Sequence, residues 1–269
     1  MRLRDVGMHL CLNIFLAHTQ EKTMLNAILC YWDGWFERKN YLQIPETYVK
    51  TCSQKAQASD WHTYAIRRRP WRPHVCVPCT WLSKAMPRSA HIFEAGCGSG
   101  ANLLWLWQEG FTRLGGNDIS PEAVRMCALL AEYSKASVEA RVDDALAPTS
   151  PPRDVDVLLS LNWLYHVPGA SLHDLFDVYA NSLSPHGYVV FDVVSHRYNQ
   201  IKNNQFHSKD KELPEEQRRP SEYTFRMSPQ EVQDCVKAHG FTLLRCKHLW
   251  GKPPHLVCVA RRGQGAPQT

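Results

Sequence analysis

Short apolar runs alternate with segments of helical periodicity along the chain from residue 90 onward. Five apolar runs predict strands, at residues 90–94, 113–118, 138–142, 155–161 and 188–194. The last run is apolar almost throughout, as expected of a strand that a parallel sheet buries on both faces. Helical segments separate the runs, so the pattern predicts an α/β fold with a doubly wound, mostly parallel sheet and helices on both sides.

Capping residues mark where two of the helices begin. Ser120 can serve as an N-cap, and Pro121 suits the first helical position that follows it. Ser228 and Glu231 have the spacing of a capping box. Helical spacing predicts that the first of these helices buries a face composed of Val124, Cys127, Ala128, Leu130 and Ala131.

The last third of the chain contains a predicted turn, a loop and a hairpin. Residues 185–187, Pro-His-Gly, predict a turn before the fifth strand. The polar stretch 195–222 is long for a plain connection, so we expect a lid or substrate loop there. Two final strands, at 242–248 and 256–260, are expected to form an antiparallel hairpin at one edge of the sheet.

The N-terminal region differs in character from the rest. Residues 1–88 are rich in aromatic residues and prolines and have few β-branched runs, which predicts a mainly helical cap at the substrate site. Residues 6–17 are expected to form a helix rather than a leader or a membrane span. We therefore expect a cap at 1–88, one main domain at 89–262 and a tail at 263–269.

Composition limits the class of protein. The chain has 269 residues, 44% of them hydrophobic, which suffices for one large domain. The net charge of +5 permits an anionic substrate but does not indicate nucleic acid. Ten scattered cysteines, several of them within apolar segments, favour a reducing, cytoplasmic location. Neither a membrane partner nor nucleic acid is expected, and the sequence does not decide whether the protein forms an oligomer.

Residues with metal-binding potential do not show the spacing of a known site. Cys76 and Cys79 have CxxC spacing but lack a second pair, so we expect two thiols in a proline-bounded loop. His196, His207 and His248 form no recognisable ligand pattern. The sequence therefore predicts no metal.

A glycine-rich loop follows the first predicted strand, in the segment Glu94-Ala95-Gly96-Cys97-Gly98-Ser99-Gly100. Glycines there permit a tight turn and close approach of a ligand to the backbone. Such a loop alone is a weak indication, because several nucleotide-binding folds share it. Glu94 can attract a cationic group and would repel a pyrophosphate. Asp118 after strand two can bind ribose hydroxyls, and Asp144 after strand three can bind an adenine amino group.

Four segments together resemble the successive motifs of the class I S-adenosylmethionine-dependent methyltransferases. They are E-A-G-C-G-S-G, N-D-I-S-P-E-A-V, D-D-A-L and L-S-L-N-W-L-Y-H-V-P. The resemblance covers about residues 88–262 and extends to the small-molecule branch of the family through the segment 223–241. It implies a Rossmann-like fold with S-adenosyl-L-methionine as cofactor and S-adenosyl-L-homocysteine as product.

The resemblance also implies residue roles. The methionine part of the cofactor would be held by Glu94, Gly96, Gly98 and Gly100, in the loop that includes Cys97. The adenosine part would be held by Asp118 on the ribose, Ile119 and Ala145 on the adenine, and Asp144 on its amino group. Asn162 would lie near the transferred methyl group.

Two residues just past the fourth strand are candidates for catalysis. Methyl transfer to oxygen or nitrogen often requires removal of a proton, and His166 has a suitable ordinary pKa. Tyr165 is its neighbour. The alternative is a histidine that packs under the cofactor, since many such enzymes act by proximity alone.

Aromatic and basic residues before the expected main domain have two interpretations: they line a substrate pocket, or they have ordinary structural roles in the core and at the surface. Trp32, Trp35, Trp61 and Trp71 can line an apolar or cation-binding pocket, although such residues more often form core. The run Arg67-Arg68-Arg69 is expected to be solvated, with anion binding as the alternative.

Three other functions compete with methylation of a small molecule. The pattern Gly96-x-Gly98-x-x-Ala101 also fits an NAD(P)-dependent oxidoreductase. A nucleic-acid or protein methyltransferase is the nearer alternative, although no Asn/Asp-Pro-Pro-aromatic motif follows strand four. The remaining alternative is a scaffold that binds the cofactor without catalysis.

Overall fold

One seven-stranded sheet organises the described residues, in the order β3-β2-β1-β4-β5-β7-β6. The computed structural model describes residues 41–263. The strands are β1 (His91–Ala95), β2 (Arg113–Asp118), β3 (Val138–Val142), β4 (Val155–Ser160), β5 (Leu183–Val194), β6 (Phe241–Leu249) and β7 (His255–Arg262). The helices are α1 (Glu46–Ala56), α2 (Asp60–Arg67), α3 (Pro73–Ala85), α4 (Ala101–Gln108), α5 (Pro121–Ser134), α6 (Leu172–Tyr179) and α7 (Pro229–Ala238).

Strands β1 to β5 run parallel, whereas β7 is antiparallel to both β5 and β6. The predicted Rossmann-like fold and its antiparallel edge hairpin are therefore confirmed. Parallel pairing also places the carboxyl ends of β1 to β4 at one edge of the sheet, where such folds bind ligands.

The core consists of apolar clusters on the two faces of the sheet. Along β1, Ile92 packs with one cluster and Phe93 with the other. In β5, Val189 and Phe191 face one side and Val190 the other. This alternation follows from the two-residue repeat of a strand. Each buried aliphatic or aromatic side chain contributes roughly 1.5–3 kcal/mol, so the central strands are held in register by both faces.

Two local sequence predictions were wrong. The predicted turn at residues 185–187 lies inside β5, because the strand starts at Leu183 and accommodates these residues as an irregularity between its pairings with Val155 and Val157. The buried face of α5 contains the predicted Cys127, Leu130 and Ala131. It also includes Ala123 and Met126, whereas Val124 is only partly buried and Ala128 is exposed.

The capping predictions are confirmed. The Ser120 hydroxyl accepts a hydrogen bond from the Ala123 N–H at 3.1 Å. Ser228 and Glu231 form a reciprocal capping box. Both helices therefore begin where local side-chain chemistry satisfies their first N–H groups.

The described part of the N-terminal region is helical. Helix α3 places Cys79 and Leu82 in the same apolar cluster as β1, β4 and β5. Helix α1 packs against α5. The helix predicted at residues 6–17 lies outside the described residues, and so do Trp32, Trp35 and most of the predicted tail. The division into cap and main domain stays a prediction.

The cysteine pair of α3 was predicted in a loop, which is wrong. Helical spacing puts Cys76 and Cys79 on one face, and both are fully buried. Burial raises the pKa of both thiols, that of Cys79 to about 12, so both stay protonated near neutral pH.

None of the helices between residues 41 and 263 combines the length and apolar character that a membrane span requires.

The glycine that begins α4 is required by packing as well as by backbone conformation. Gly100 has φ +74°, and a Cβ there would lie 2.3 Å from the Cys127 sulfur. Gly169 has a similar φ of +78° but no atom within 4 Å of such a Cβ. We predict that Gly100→Ala lowers the free energy of unfolding by about 1–3 kcal/mol more than Gly169→Ala does, because only Gly100→Ala overpacks. Urea denaturation of the two variants measures this difference, and equal losses would contradict the packing role.

Candidate functional site

The glycine loop joins β1 to α4 at the carboxyl edge of the sheet. Gly96, Gly98 and Gly100 all have positive φ, of +69°, +52° and +74°. The Cys97 N–H donates to the Asn117 carbonyl at 2.9 Å, which ties the loop to β2. A Cβ on Gly98 would meet only the His62 ring, at 3.7 Å. The backbone is therefore open to a ligand at Gly98.

Glu94 is the buried acid of the site, with 1% of its surface exposed. Its Oε1 accepts from the Asn102 side-chain amide at 2.6 Å, and the Arg69 Nε donates to the Asn102 Oδ1 at 3.3 Å. The other oxygen, Oε2, has no hydrogen-bond partner among the described residues. Burial raises the pKa of Glu94 to about 8, against the opposing effects of the Asn102 hydrogen bond and the nearby Arg69 charge.

Asp118 organises the loops after β1 and β2. Its Oδ2 accepts from the Gly98 N–H at 2.8 Å and its Oδ1 from the Ser120 N–H at 3.0 Å. A carboxylate offers about four acceptor positions, so both oxygens retain capacity for hydroxyl donors. The ring of His62, on α2, lies close enough to be influenced by Asp118, and burial lowers its pKa.

The loop after β3 carries the third acid. The Asp143 N–H donates to the Asp118 carbonyl at 3.1 Å, which holds this loop beside the acid of β2. Asp144 is exposed and its Oδ1 accepts from the Leu146 N–H at 2.8 Å. Ala145 is buried, whereas the Ile119 side chain is 69% exposed at the same edge.

The loop after β4 brings two further residues to this edge. Asn162 has φ +56°, and its N–H donates to the Asp192 Oδ1 at 2.6 Å. The Trp163 ring covers Gly96, since a Cβ there would lie 2.2 Å from its Cγ. Side chains larger than glycine are therefore excluded at residue 96.

Comparison with known proteins agrees with this geometry. Residues 92–187 match a family model described as a methyltransferase domain. A search of curated proteins found no match. The match to the family model indicates a methyltransferase domain over residues 92–187.

Solved methyltransferase structures share the fold. Magnesium protoporphyrin IX methyltransferase from Synechocystis PCC 6803, with bound S-adenosylhomocysteine, is 16% identical with a TM-score of 0.54, over 86% of this chain and 94% of that one. The 1,6-didemethyltoxoflavin-N1-methyltransferase from Burkholderia thailandensis is 17% identical with a TM-score of 0.54, over 82% and 91%. A protein from Methanosarcina mazei described among the SAM-dependent methyltransferases is 17% identical with a TM-score of 0.56, over 68% and 97%.

The residues present fit S-adenosylmethionine, the cofactor of the class I methyltransferases that the sequence resembles. Glu94 has a buried oxygen without a partner, Gly98 has open backbone, and Asp118 has acceptor capacity for hydroxyl groups. A cationic amine, a close-lying ligand chain and a ribose would satisfy these three features. The individual residue roles stay predictions.

A cavity of about 900 Å³ adjoins this edge of the sheet and reaches Asn162. Its walls come from α2, from the first turn of α3, from residues 207–223 and from the turn between β6 and β7. Aromatic side chains on these walls include Trp61, Tyr64, Trp71, Tyr223 and Trp250. Charged groups of both signs line the cavity as well, among them Arg72, Lys252 and Glu222.

The two candidate catalytic residues occupy different positions. Tyr165 is fully buried, and its hydroxyl lies 3.0 Å from the Asp192 Oδ2. Burial holds its pKa well above the ordinary value. His166 lines the cavity, and its Nδ1 lies 3.1 Å from the Glu222 carbonyl oxygen. Burial lowers the pKa of His166, so its imidazole is neutral near pH 7.

Sequence patterns did not indicate several residues that complete the site. The run Arg67-Arg68-Arg69 was expected to be solvated, but Arg69 is fully buried against Asn102 and the Trp105 ring. Asn102 follows the glycine loop within α4, and its closeness to the loop was the available sequence signal for a partner of Glu94. His74 and His255 come together only through tertiary structure, with their rings 4.0 Å apart.

Glu94 should make the stability of the protein depend on pH. Its pKa rises from 4.5 to about 8 on folding, so between these values the folded state binds more protons than the unfolded state. We predict that the free energy of unfolding of the wild type, relative to Glu94→Gln, falls as pH rises from about 5 to about 8, on the order of 1 kcal/mol per pH unit.

Urea denaturation across this pH range tests the prediction. Glu132→Gln, on the exposed face of α5, serves as the matched control and should track the wild type. If the free energy of unfolding of the wild type relative to Glu94→Gln stays constant or rises with pH, the result would contradict a neutral, buried Glu94.

Proposed function

We propose that this enzyme transfers a methyl group from S-adenosylmethionine to an oxygen or nitrogen atom of a small molecule bound in the cavity. The observation that carries the proposal is the position of Asn162, which lines the cavity and directly follows β4, beside the glycine loop. Its neighbour Trp163 packs on Gly96 of that loop. Cofactor and acceptor would therefore meet at the end of β4.

The bound cofactor supplies an electrophilic methyl group. Glu94 would hold the cationic amine of its methionine part, Asp118 the ribose hydroxyls, and Asp144 with the Ala145 N–H the adenine. The exposed face of Ile119 would pack on the adenine ring. Alignment of methyl group and acceptor contributes much of the rate in such displacements.

The mixed lining of the cavity favours a small acceptor over nucleic acid. Aromatic walls suit a molecule with apolar surface, and a few charged groups would orient it. The solved relatives named for protoporphyrin and toxoflavin substrates share the fold and offer an analogy in the same direction. A nucleic-acid enzyme would show a more strongly basic surface than a net charge of +5 indicates.

Proton removal from the acceptor falls to His166 in this proposal. Its imidazole faces the cavity and is neutral near pH 7, the form that accepts a proton. The buried Tyr165 has an indirect role, because its hydroxyl contacts Asn162 and Asp192 and positions them.

Calorimetric titration distinguishes the proposed cofactor from its rivals. We predict that S-adenosylhomocysteine binds, whereas NAD and NADP do not. Asp118→Ala should weaken S-adenosylhomocysteine binding about 10- to 100-fold, since hydrogen bonds to a charged group contribute about 1.5–3 kcal/mol.

A matched control distinguishes the loss of an acid at the site from the loss of an acid elsewhere on the surface. Asp154 is exposed and precedes β4 at the opposite edge of the sheet, so Asp154→Asn should bind like the wild type. Binding of a nicotinamide dinucleotide would overturn the proposed function, and so would binding of none of the three ligands. Once binding is established, acceptors can be screened by methyl transfer.

A further inference from the structure

A buried cation lines the cavity at the residue that precedes α3. Arg72 is 8% exposed, and its side chain forms part of the cavity wall. The guanidinium lies over the Trp61 ring, 5.1 Å from the ring centre. Among residues 41–263 it has neither a hydrogen-bond acceptor nor an ion-pair partner. Burying a charge costs stability unless a group of opposite charge pairs with it, so this position is suited to an anionic ligand.

The contact with Trp61 leaves the donors of Arg72 available for such a ligand. An aromatic ring attracts a guanidinium through its π face and does not provide the in-plane acceptors that the N–H groups require. A guanidinium placed in this way can donate two parallel hydrogen bonds to one carboxylate. Burial lowers the pKa of Arg72, but arginine stays protonated in proteins. The cavity wall therefore contains a permanent positive charge.

The charges around Arg72 favour a ligand with a single negative charge. Lys209 and Lys252 also line the cavity, together with the acids Asp60 and Glu222. Apart from the histidines, the walls thus carry three positive and two negative side chains, which leaves a net charge of +1. A carboxylate neutralises this charge, whereas a phosphate group carries up to about two negative charges near neutral pH and would leave an excess.

Arg72 lies nearer to the acceptor side of the site than to the cofactor side. After burial, Tyr165 and Asp192 have the largest influence on its pKa, and these two buried residues contact each other at 3.0 Å behind the cavity wall. The negative charge of Asp192 disfavours a doubly charged ligand further. Glu94, which would hold the amine of the cofactor, does not line the cavity, and Arg69 influences the pKa of Glu94 more than Arg72 does.

Exposed tryptophans give the cavity an apolar surface on the same walls. Trp61, Trp71 and Trp250 all line the cavity, and they are 47%, 43% and 46% exposed. Clustered, exposed apolar surface of this kind commonly marks a binding site. A flat aromatic ligand would cover these rings while its carboxylate contacts Arg72.

His166 indicates what other group the acceptor should carry. Its Nδ1 lies 3.1 Å from the Glu222 carbonyl oxygen, which only accepts hydrogen bonds. In the neutral imidazole, Nδ1 therefore carries the proton and Nε2 keeps a lone pair. His166 lines the same cavity as Arg72. A hydroxyl or amino group of the acceptor would donate to this lone pair.

We propose that Arg72 binds the carboxylate of the methyl acceptor, and that this acceptor is an aromatic monocarboxylate whose hydroxyl or amino group faces His166. This inference rests on the proposed methyl transfer and names its substrate class. Arg72 is then a residue that determines specificity, because an acceptor without the carboxylate leaves a buried charge unpaired.

Calorimetric titration of the full chain with paired probes tests the role of the carboxylate. The probes are para-hydroxyphenylacetate and para-aminobenzoate, each compared with its neutral amide. We expect the wild type to bind at least one of the carboxylates about 10-fold or more tightly than its amide, since hydrogen bonds between charged groups are stronger than neutral ones. In Arg72→Gln, which keeps an amide donor but loses the charge, this preference should fall below about 2-fold.

Two further variants control this comparison. Arg68→Gln is the matched control, because Arg68 is exposed and does not line the cavity, and it should keep the wild-type preference. Arg72→Lys keeps the charge but loses the paired donors, so it should keep part of the preference. Circular dichroism checks folding, and the comparison of carboxylate with amide in the wild type decides the outcome if no Arg72 variant folds.

Equal binding of carboxylate and amide by the wild type would overturn the proposal, as would binding of none of the probes or an unchanged preference in folded Arg72→Gln. S-adenosylhomocysteine is titrated separately, without probes. If Arg72→Gln weakens that binding about 10-fold or more, the cation serves the carboxylate of the cofactor and the proposal is also overturned. Failure of the wild type to bind S-adenosylhomocysteine would instead contradict the proposed methyl transfer, whatever the probes show.

Discussion

The buried carboxyl group of Glu94 connects the sheet, the glycine loop and the N-terminal helices. It lies one residue before the end of β1, accepts from Asn102 on α4, and reaches Arg69 before α3 through that amide. Burying such a group costs stability unless it is neutral or paired, and here only one of its oxygens has a partner. This unsatisfied oxygen lies beside open backbone at the glycine loop, where a cationic ligand would compensate it.

A second consequence of the fold is that two chemically different regions share one edge of the sheet. The ends of β1 to β3 present backbone and acids suited to an adenosine and an amino acid. The ends of β4 and β5, with the start of β7, present nitrogen and oxygen donors at the cavity. Asn162 lies between the two regions, and its positive φ turns the chain from one toward the other.

Sequence patterns predicted most of the sheet because each strand carries its own periodicity. Ile92 and Phe93 face opposite cores as a two-residue repeat requires, and the glycine loop follows directly. The turn predicted at Pro185 was wrong, because β5 accommodates this proline at an irregularity in its pairing with β4. That pairing is not visible in the sequence. The predicted solvent exposure of Arg69 was also wrong. A run of three arginines indicates a solvated segment, whereas tertiary packing buries the third arginine.

Sequence patterns also could not predict residues that meet only through tertiary structure, because such patterns report local spacing alone. His74 lies on a helix before β1 and His255 begins the last strand, so no spacing rule relates them. His62 likewise reaches Gly98 from a helix whose packing the sequence does not specify. Part of the site therefore comes from local motifs in the loops after the strands, and part from the helices before β1 that pack on the sheet.

The charge state of Glu94 on cofactor binding tests the central claim most directly. Calorimetric binding of S-adenosylhomocysteine at about pH 7, in buffers of different ionisation enthalpy, reports the protons exchanged. Because the pKa of Glu94 is about 8, binding of the ligand's ammonium group should release up to about one proton per chain, and Glu94→Gln should release none. Heats that do not depend on the buffer, or the same release from Glu94→Gln, would contradict the role of this carboxyl group.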